Sequence, residues 1–554
     1  MSDLYSKASL VMVPQLVDTG KVYSIKPENR RGDFDFTRSS AATRVNADGN
    51  IEKETQNLLT YSNDFSEWSS INTSETSGQS GYDGTNDAWL LSKSASSARV
   101  QQSISTSGIR TYSVYVKAGT LNYVMLNNSF VSQWFDLSNG TIGTNSSSAN
   151  TIDASIESVG NGWYRCSLIF NSSISIVRIY PSQADNDVNG TSGNIYIQDA
   201  QLEQGLVARD YIETTTTAVE GGITDNVPRL DYTDSSCPAL LLEPQRTNIC
   251  PNSEDVSNWS LVNAVATSND TISPEGVQNA AKIVTSNTGC DVKLTSIPVS
   301  PSTTYTATFY CKLTSGSGLR TRFYDNTNLA NIEYYTYDSQ LVVGEWKRVT
   351  RTFTTPAGCN NIQIWFLAAS SSSSVTAHYW GYQLEQGSYA TSYIPTYGSS
   401  VTRVVDASLH FSGSFSGVFG SASLTKYSIL IDIKKAEQSY SGSSTFLNKG
   451  NNTQGRINYG GGSDLVYYST ATGYMTDNRI TDGNPHKYLL VCNDGVIKQF
   501  FDGTLIDTDN NPNDEFVSFS LSGSTGSYAD YDLSSLMAFN SALTDEEAIA
   551  LTTI

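Results

Sequence analysis

The chain has 554 residues, with 34 Lys and Arg against 54 Asp and Glu, a formal net charge of −20. So acidic a surface repels phosphate backbones and anionic lipid, which argues against nucleic acid as a partner. No run of about 18 apolar residues occurs, so no membrane span or membrane insertion is expected; at about 150 residues per domain the length implies three or four domains.

Charged residues make up only 16% of the chain, while 32 Tyr, 19 Phe and 8 Trp supply mass for packed cores. Helical periodicity is nearly absent. Runs such as Tyr112-Ser113-Val114-Tyr115-Val116-Lys117 and Thr306-Ala307-Thr308-Phe309-Tyr310-Cys311-Lys312 alternate with period two, as half-buried strands do. Gly, Asn, Asp and Ser clusters between them supply turns. The fold class expected is all-β, tandem antiparallel β-sandwiches with very little helix.

In chain order, residues 1–54 come first. The opening lacks the charged and apolar regions of a signal peptide. The apolar stretch Leu10 to Val17 is either a docking segment or the first strand of a domain. Residues 55–215 form one repeat copy, 216–245 a connector, 246–398 a second copy. The copies share Asn57 and Asn248, Trp68 and Trp259, Gly162-Trp163 and Gly344-Glu345-Trp346, and the phrase Gln-Leu-Glu-Gln-Gly at 201–205 and 383–387. Tyr211-Ile212 and Tyr393-Ile394 follow at equal distance. Recurrence of the Trp pairs and of Glu203 and Glu385 favours a packing role. Residues 399–554 are the last unit, closing on a helix capped by Thr544 with Glu547 as capping-box partner.

Two stretches, Gly32-Asp33-Phe34-Asp35-Phe36-Thr37-Arg38 through Gly49 and Leu240-Leu241-Leu242-Glu243-Pro244-Gln245-Arg246-Thr247-Asn248, resemble a widespread group of bacteriophage virion proteins that includes tail-fibre and head-fibre components. The resemblance spans about residues 10 to 400. It implies that both copies are carbohydrate-binding-module-like jelly rolls and that 1–54 attaches to the particle. Phe501-Asp502-Gly503, with Ser535 to Glu547, resembles the end of a concanavalin A-like, laminin-G-like lectin domain. The function implied is non-enzymatic adhesion to host-surface or environmental polysaccharide. The chain would sit on the virion surface, be made in the host cytoplasm, contact other virion proteins and form a homo-oligomer. A structural rival keeps the sandwiches for binding other virion proteins. A polysaccharide-cleaving enzyme is a third reading, although no GxSxG, HExxH or phosphate-binding loop occurs.

Glycan sites pair flat aromatic faces with a few placed polar groups. The candidates are Trp89, Tyr123, Trp134 and Tyr180 in the first copy, and Tyr324, Tyr334, Tyr335, Trp365 and Tyr379 in the second. An aromatic on a strand is more often core than binding surface. No cofactor is required. A structural calcium ion is possible at Asp185, Asp187 or Asp199, whose carboxylates are hard ligands; a solvated turn is the competing reading. Asp494 and Asp502 are weaker candidates. The seven Cys are scattered with no CxxC and read as reduced thiols. Three His leave little material for His-based catalysis.

Overall fold

The alternating segments fold as antiparallel strands throughout the computed structural model. It describes residues 2–256, 259–285, 291–317, 319–337, 339–368, 374–406, 408–411, 413–434, 483–510, 514–518 and 531–554, with the strands at 444–448, 456–459, 465–468, 474–477 and 520–521. Helix is confined, among the described residues, to Ser2–Lys7, Phe415–Phe419, Asp545–Thr552 and one short 3-10 turn. The expected all-β class of tandem sandwiches is what the chain adopts. No helix among the described residues is long and apolar enough to cross a membrane.

Each repeat copy is a sandwich of two sheets. In the first, two six-stranded sheets enclose Tyr112, Val114, Phe135, Val177 and Leu202. In the second, two five-stranded sheets enclose Phe309, Phe323, Ile364, Phe366 and Leu384. Period two drives apolar side chains to the shared interior and leaves the intervening residues on the outer faces.

The recurring residues form a clasp that closes each sandwich. Asn57 Nδ2 donates to the carbonyls of Ala200 (3.1 Å) and Ile212 (2.9 Å), and Asn248 Nδ2 to those of Tyr382 (2.9 Å) and Ile394 (2.8 Å). Gln201 Nε2 donates to Glu203 Oε1 at 2.8 Å, and Gln383 Nε2 to Glu385 Oε1 at 2.8 Å. Ser62 bonds Tyr211 and Ser253 bonds Tyr393. Trp68 and Trp259 lie in the two cores. Burying the Asn, Gln and Ser side chains of the clasp is tolerable because each is bonded.

The last sandwich is not built from 399–554 alone. Strand Leu10–Met12 pairs with 536–538 of strand Tyr531–Phe539, and Ala239–Leu242 pairs with 531–533 along the same edge. Phe34–Thr37 pairs with Ser408–Phe411. Leu10, Met12, Phe34, Phe36, Leu240 and Leu242 are all buried in one core with Ile429, Leu490 and Leu533. The apolar stretch at 10–17 therefore begins as a strand of this domain, and 1–54 and 216–245 are not separate units. Most of their buried apolar side chains fill the last core, while Ile51 packs on Trp380 and Tyr393 of the second module. The capping box at Thr544 and Glu547 forms as expected, and Ala548 and Leu551 cover the other face of the eight-stranded sheet.

Two buried charge clusters join the units. Arg38, Arg229 and Arg403 surround Asp406 and Glu243; all of these side chains are at most 8% exposed. Lys53 lies 2.7 Å from Glu254 and 3.0 Å from Glu275, which also pairs with Arg209. The second cluster bridges the two repeat copies. Burial alone would raise the Glu243 carboxyl, but Arg403 and Arg229 overcome it and hold it down at about 2.

Candidate functional site

In the second module, strands Asp291–Pro298, Asn361–Ala368, Leu319–Asp325 and Ala330–Thr336 lie side by side in one sheet. Val292, Ile364 and Phe323 point into the core, so the residues between them point out. The register sets Lys293 opposite Trp365, Trp365 opposite Arg322, and Arg322 opposite Tyr334. One row of four side chains thus alternates cation and aromatic ring across four strands. Tyr324, opposite Gln363, and Arg320 extend it on either side.

Cations lie over these rings. Lys293 Nζ is 4.7 Å from the Trp365 ring, and the Arg322 guanidinium is 4.4 Å from both Trp365 and Tyr324. Arg320 is 5.0 Å from the ring of Tyr334, which is 46% exposed. Trp365 Nε1 donates to Gln363 Oε1 at 2.8 Å, and Arg322 Nε to Asn331 Oδ1 at 2.5 Å. Trp365 and Tyr324 are half-buried.

The corresponding face of the first module has the same geometry with other occupants. Met125 is opposite both Tyr180 and Trp134, and Arg99 lies 5.5 Å from the Tyr180 ring. Met125 and Trp134 are only 4% and 6% exposed. Trp134 Nε1 donates to Ser182 Oγ, which in turn bonds the carbonyls of Ala184 and Asp187. Arg178 is spent on Asn127 Oδ1 (2.7 Å) and Gln101 Oε1 (3.2 Å). Tyr123 donates to Asp136 Oδ2 at 3.0 Å. Burial alone would raise the Asp136 carboxyl; hydrogen bonds from Ser138, Asn139 and Tyr123 outweigh it and bring it down to about 2. This face is closed, internally bonded and carries a carboxylate.

Of the sequence candidates, Tyr324, Tyr334 and Trp365 share the second module's outer face. Tyr123, Trp134 and Tyr180 share the first module's. Trp134 is no open platform, because it is tied into the turn at 184–187. Trp89 is on the opposite sheet. Its ring packs edge-on to Phe65 and its Nε1 donates to the Asn63 carbonyl at 2.7 Å. Tyr379 is 3% exposed among Phe309, Phe366 and Tyr382, so it is core. Tyr335, opposite Thr321, also turns towards the core. Sequence reasoning missed Lys293, Arg320 and Arg322. The alternation Leu319-Arg320-Thr321-Arg322-Phe323-Tyr324 carried that signal, but only the pairing with 361–368 sets the arginines beside Trp365.

The calcium candidates do not converge. Asp185 accepts from Thr144 N and Oγ1, both at 2.8 Å, and Asp187 from Asn189 N at 2.7 Å. Asp199 accepts from Tyr82 at 2.9 Å; burial, with Asp87 and Asp83 nearby, pushes its carboxyl up to about 7. Asp502 meets His486 Nδ1 at 2.7 Å, and Asp494 pairs with Lys426. Among the described residues, no group of three or more His, Cys, Asp and Glu is arranged to hold a metal ion. A cleft of about 860 Å³ beside Arg246, Ser300 and Gln386 is polar, and its one ring, Tyr305, is 4% exposed.

A family model described as a carbohydrate binding domain matches residues 252–373, which include the whole cation–aromatic row. The chain thus contains a carbohydrate-binding-module-like β-sandwich. Nothing matches among curated proteins. Three of the similar solved structures are a sialidase CBM40 domain of Ruminococcus gnavus bound to α2,3 sialyllactose, domains LG4-5 of the mouse laminin alpha1 chain, and the baseplate tripod of bacteriophage Tuc2009. The first is 18% identical over 25% of this chain and 88% of that one, with a TM-score of 0.21. The laminin domains are 10% identical over 46% and 88%, with a TM-score of 0.17. The tripod is 15% identical over 48% and 95%, with a TM-score of 0.17.

Proposed function

We propose that the protein binds glycan through the outer face of the second module. The observation that carries this reading is the row Lys293, Trp365, Arg322, Tyr334, open on one side and lying within the segment that the carbohydrate-binding family model matches. Exposed rings among placed polar groups are what a sugar site requires. The wider reading rests on the sequence resemblance: a non-enzymatic surface protein of a bacteriophage particle, in a tail or head appendage, adhering to host polysaccharide. Many copies on one particle would turn weak single sites into firm attachment. The closed face of the first module and the buried charge clusters favour a scaffold role for the other sandwiches, in contact with virion proteins. The test is a glycan array and host-cell pull-down with the full chain and with Tyr334→Ala. Binding that weakens in the variant supports the reading. A chain that binds virion components but no glycan contradicts it.

A further inference from the structure

We infer that the ligand of this face is an anionic glycan, its carboxylate or sulfate groups held by Arg322 and Arg320. The inference rests on the glycan reading above and adds the charge of the sugar. Three cations, Lys293 and Arg322 in the row and Arg320 beside it, crowd one face of a chain whose net charge is −20. The buried cations that join the units, Arg38, Arg229, Arg403, Lys53 and Arg209, are each matched to carboxylates. Among the described residues, no carboxylate pairs with the three on this face. Two acids near the arginines in sequence are already engaged. Asp325 accepts from Thr327 N, Asn328 N and Asn328 Nδ2, and Glu333 pairs with Arg351. Like charges this close repel one another unless an anion joins them.

The rings do not offer themselves bare. Trp365 has Lys293 on one neighbouring strand and Arg322 on the other, and Tyr334 has Arg320 and Arg322. A neutral sugar stacking on Trp365 would have to displace a cation held by the ring. A guanidinium stacked on a ring keeps its plane open at the edges; Arg322 gives Nε to Asn331, and its Nη groups form the fork that fits a carboxylate or sulfate oxygen pair. The first module supplies the internal contrast. Met125 stands at the place of Arg322, and Asp136 brings a negative charge to the same face. The arginines of that face, Arg99 and Arg178, are bonded to Gln101, Ser97 and Asn127.

Calorimetric titration of the full chain tests this, with oligogalacturonate as the carboxylate probe, a chondroitin sulfate oligosaccharide as the sulfate probe and a xylo-oligosaccharide as the neutral one. Arg322→Met, which places the first module's residue in the second, and Lys293→Gln are compared with Arg99→Gln on the other module. Thermal melting checks that each variant folds. The expected result is binding of at least one anionic probe at least about tenfold tighter than the neutral one. It weakens by about tenfold or more in Arg322→Met and is unchanged in Arg99→Gln. It also falls as salt rises from about 50 to about 500 mM, as screening shortens the reach of exposed charge. The stronger of the two anionic probes identifies the group recognised. Equal binding of neutral and anionic sugars, or anion binding untouched by Arg322→Met, overturns the inference while leaving the glycan reading intact. Binding of none of the three overturns both.

Discussion

The two repeat modules carry the same clasp and different faces. Asn57 and Asn248, Gln201 and Gln383, Glu203 and Glu385 make the same bonds at nearly the same distances. On the outer sheet the lattice is also shared, yet Arg99, Tyr180, Met125 and Trp134 stand where the second module has Lys293, Trp365, Arg322 and Tyr334. What recurs after the duplication is what closes the sandwich. What differs lies on a surface whose residues folding does not dictate, and there the second module has gathered unpaired cations around half-exposed rings.

Breaking what the modules share should cost the most. Asp406→Ala leaves Arg38 buried without its carboxylate and Arg229 with Glu243 alone, and the expected loss is about 3–5 kcal/mol in urea unfolding. Asn57→Ala and Asn248→Ala should each cost about 2–4 kcal/mol, because each orphans buried backbone groups. The two losses should agree within about 1 kcal/mol if the clasps are equivalent. A large disparity between them in denaturant titrations would undo the comparison.

A milder test uses a position where the repeats differ. Asp199 has φ 51°, and Gly381 occupies the same place before the terminal phrase with φ 68°. Burial raises Asp199 to about 7, Glu54 to about 7 and Asp532 to about 8. Folded-state values above the unfolded ones mean that the folded chain retains protons the unfolded chain has released. Stability contributed at about pH 5 is therefore lost as pH rises through about 7 to 8. Melting temperature should fall between about pH 5 and about pH 8.5. Asp199→Gly, which removes one of the three groups and suits the backbone, should flatten that fall. A profile that rises across the range would contradict the assignment.

Much of this was legible in the chain. Alternation predicted the strands, the repeat predicted two like sandwiches, and Thr544 with Glu547 predicted the capped helix Asp545–Thr552. The domain limits were not legible. Leu10–Met12 completes a sheet with residues 536–538, far along the chain, and no local pattern encodes such a partner. Trp134 and Trp365 looked alike because each alternates on a strand. What separates them is cover: a turn tied down through Ser182 in one case, and cations from adjacent strands in the other. A chain truncated at residue 399 would strip Leu10, Met12, Leu240 and Leu242 of their core and should aggregate rather than report on binding.

The account's central claim is that the second module's outer face, and not the first's, binds glycan. Its most direct test is the affinity of the full chain for a bound glycan probe with Trp365→Ala set against Trp134→Ala. The account predicts that affinity falls by about tenfold or more with Trp365→Ala and is nearly unchanged with Trp134→Ala once folding is matched by melting temperature. Loss with Trp134→Ala and retention with Trp365→Ala would contradict it.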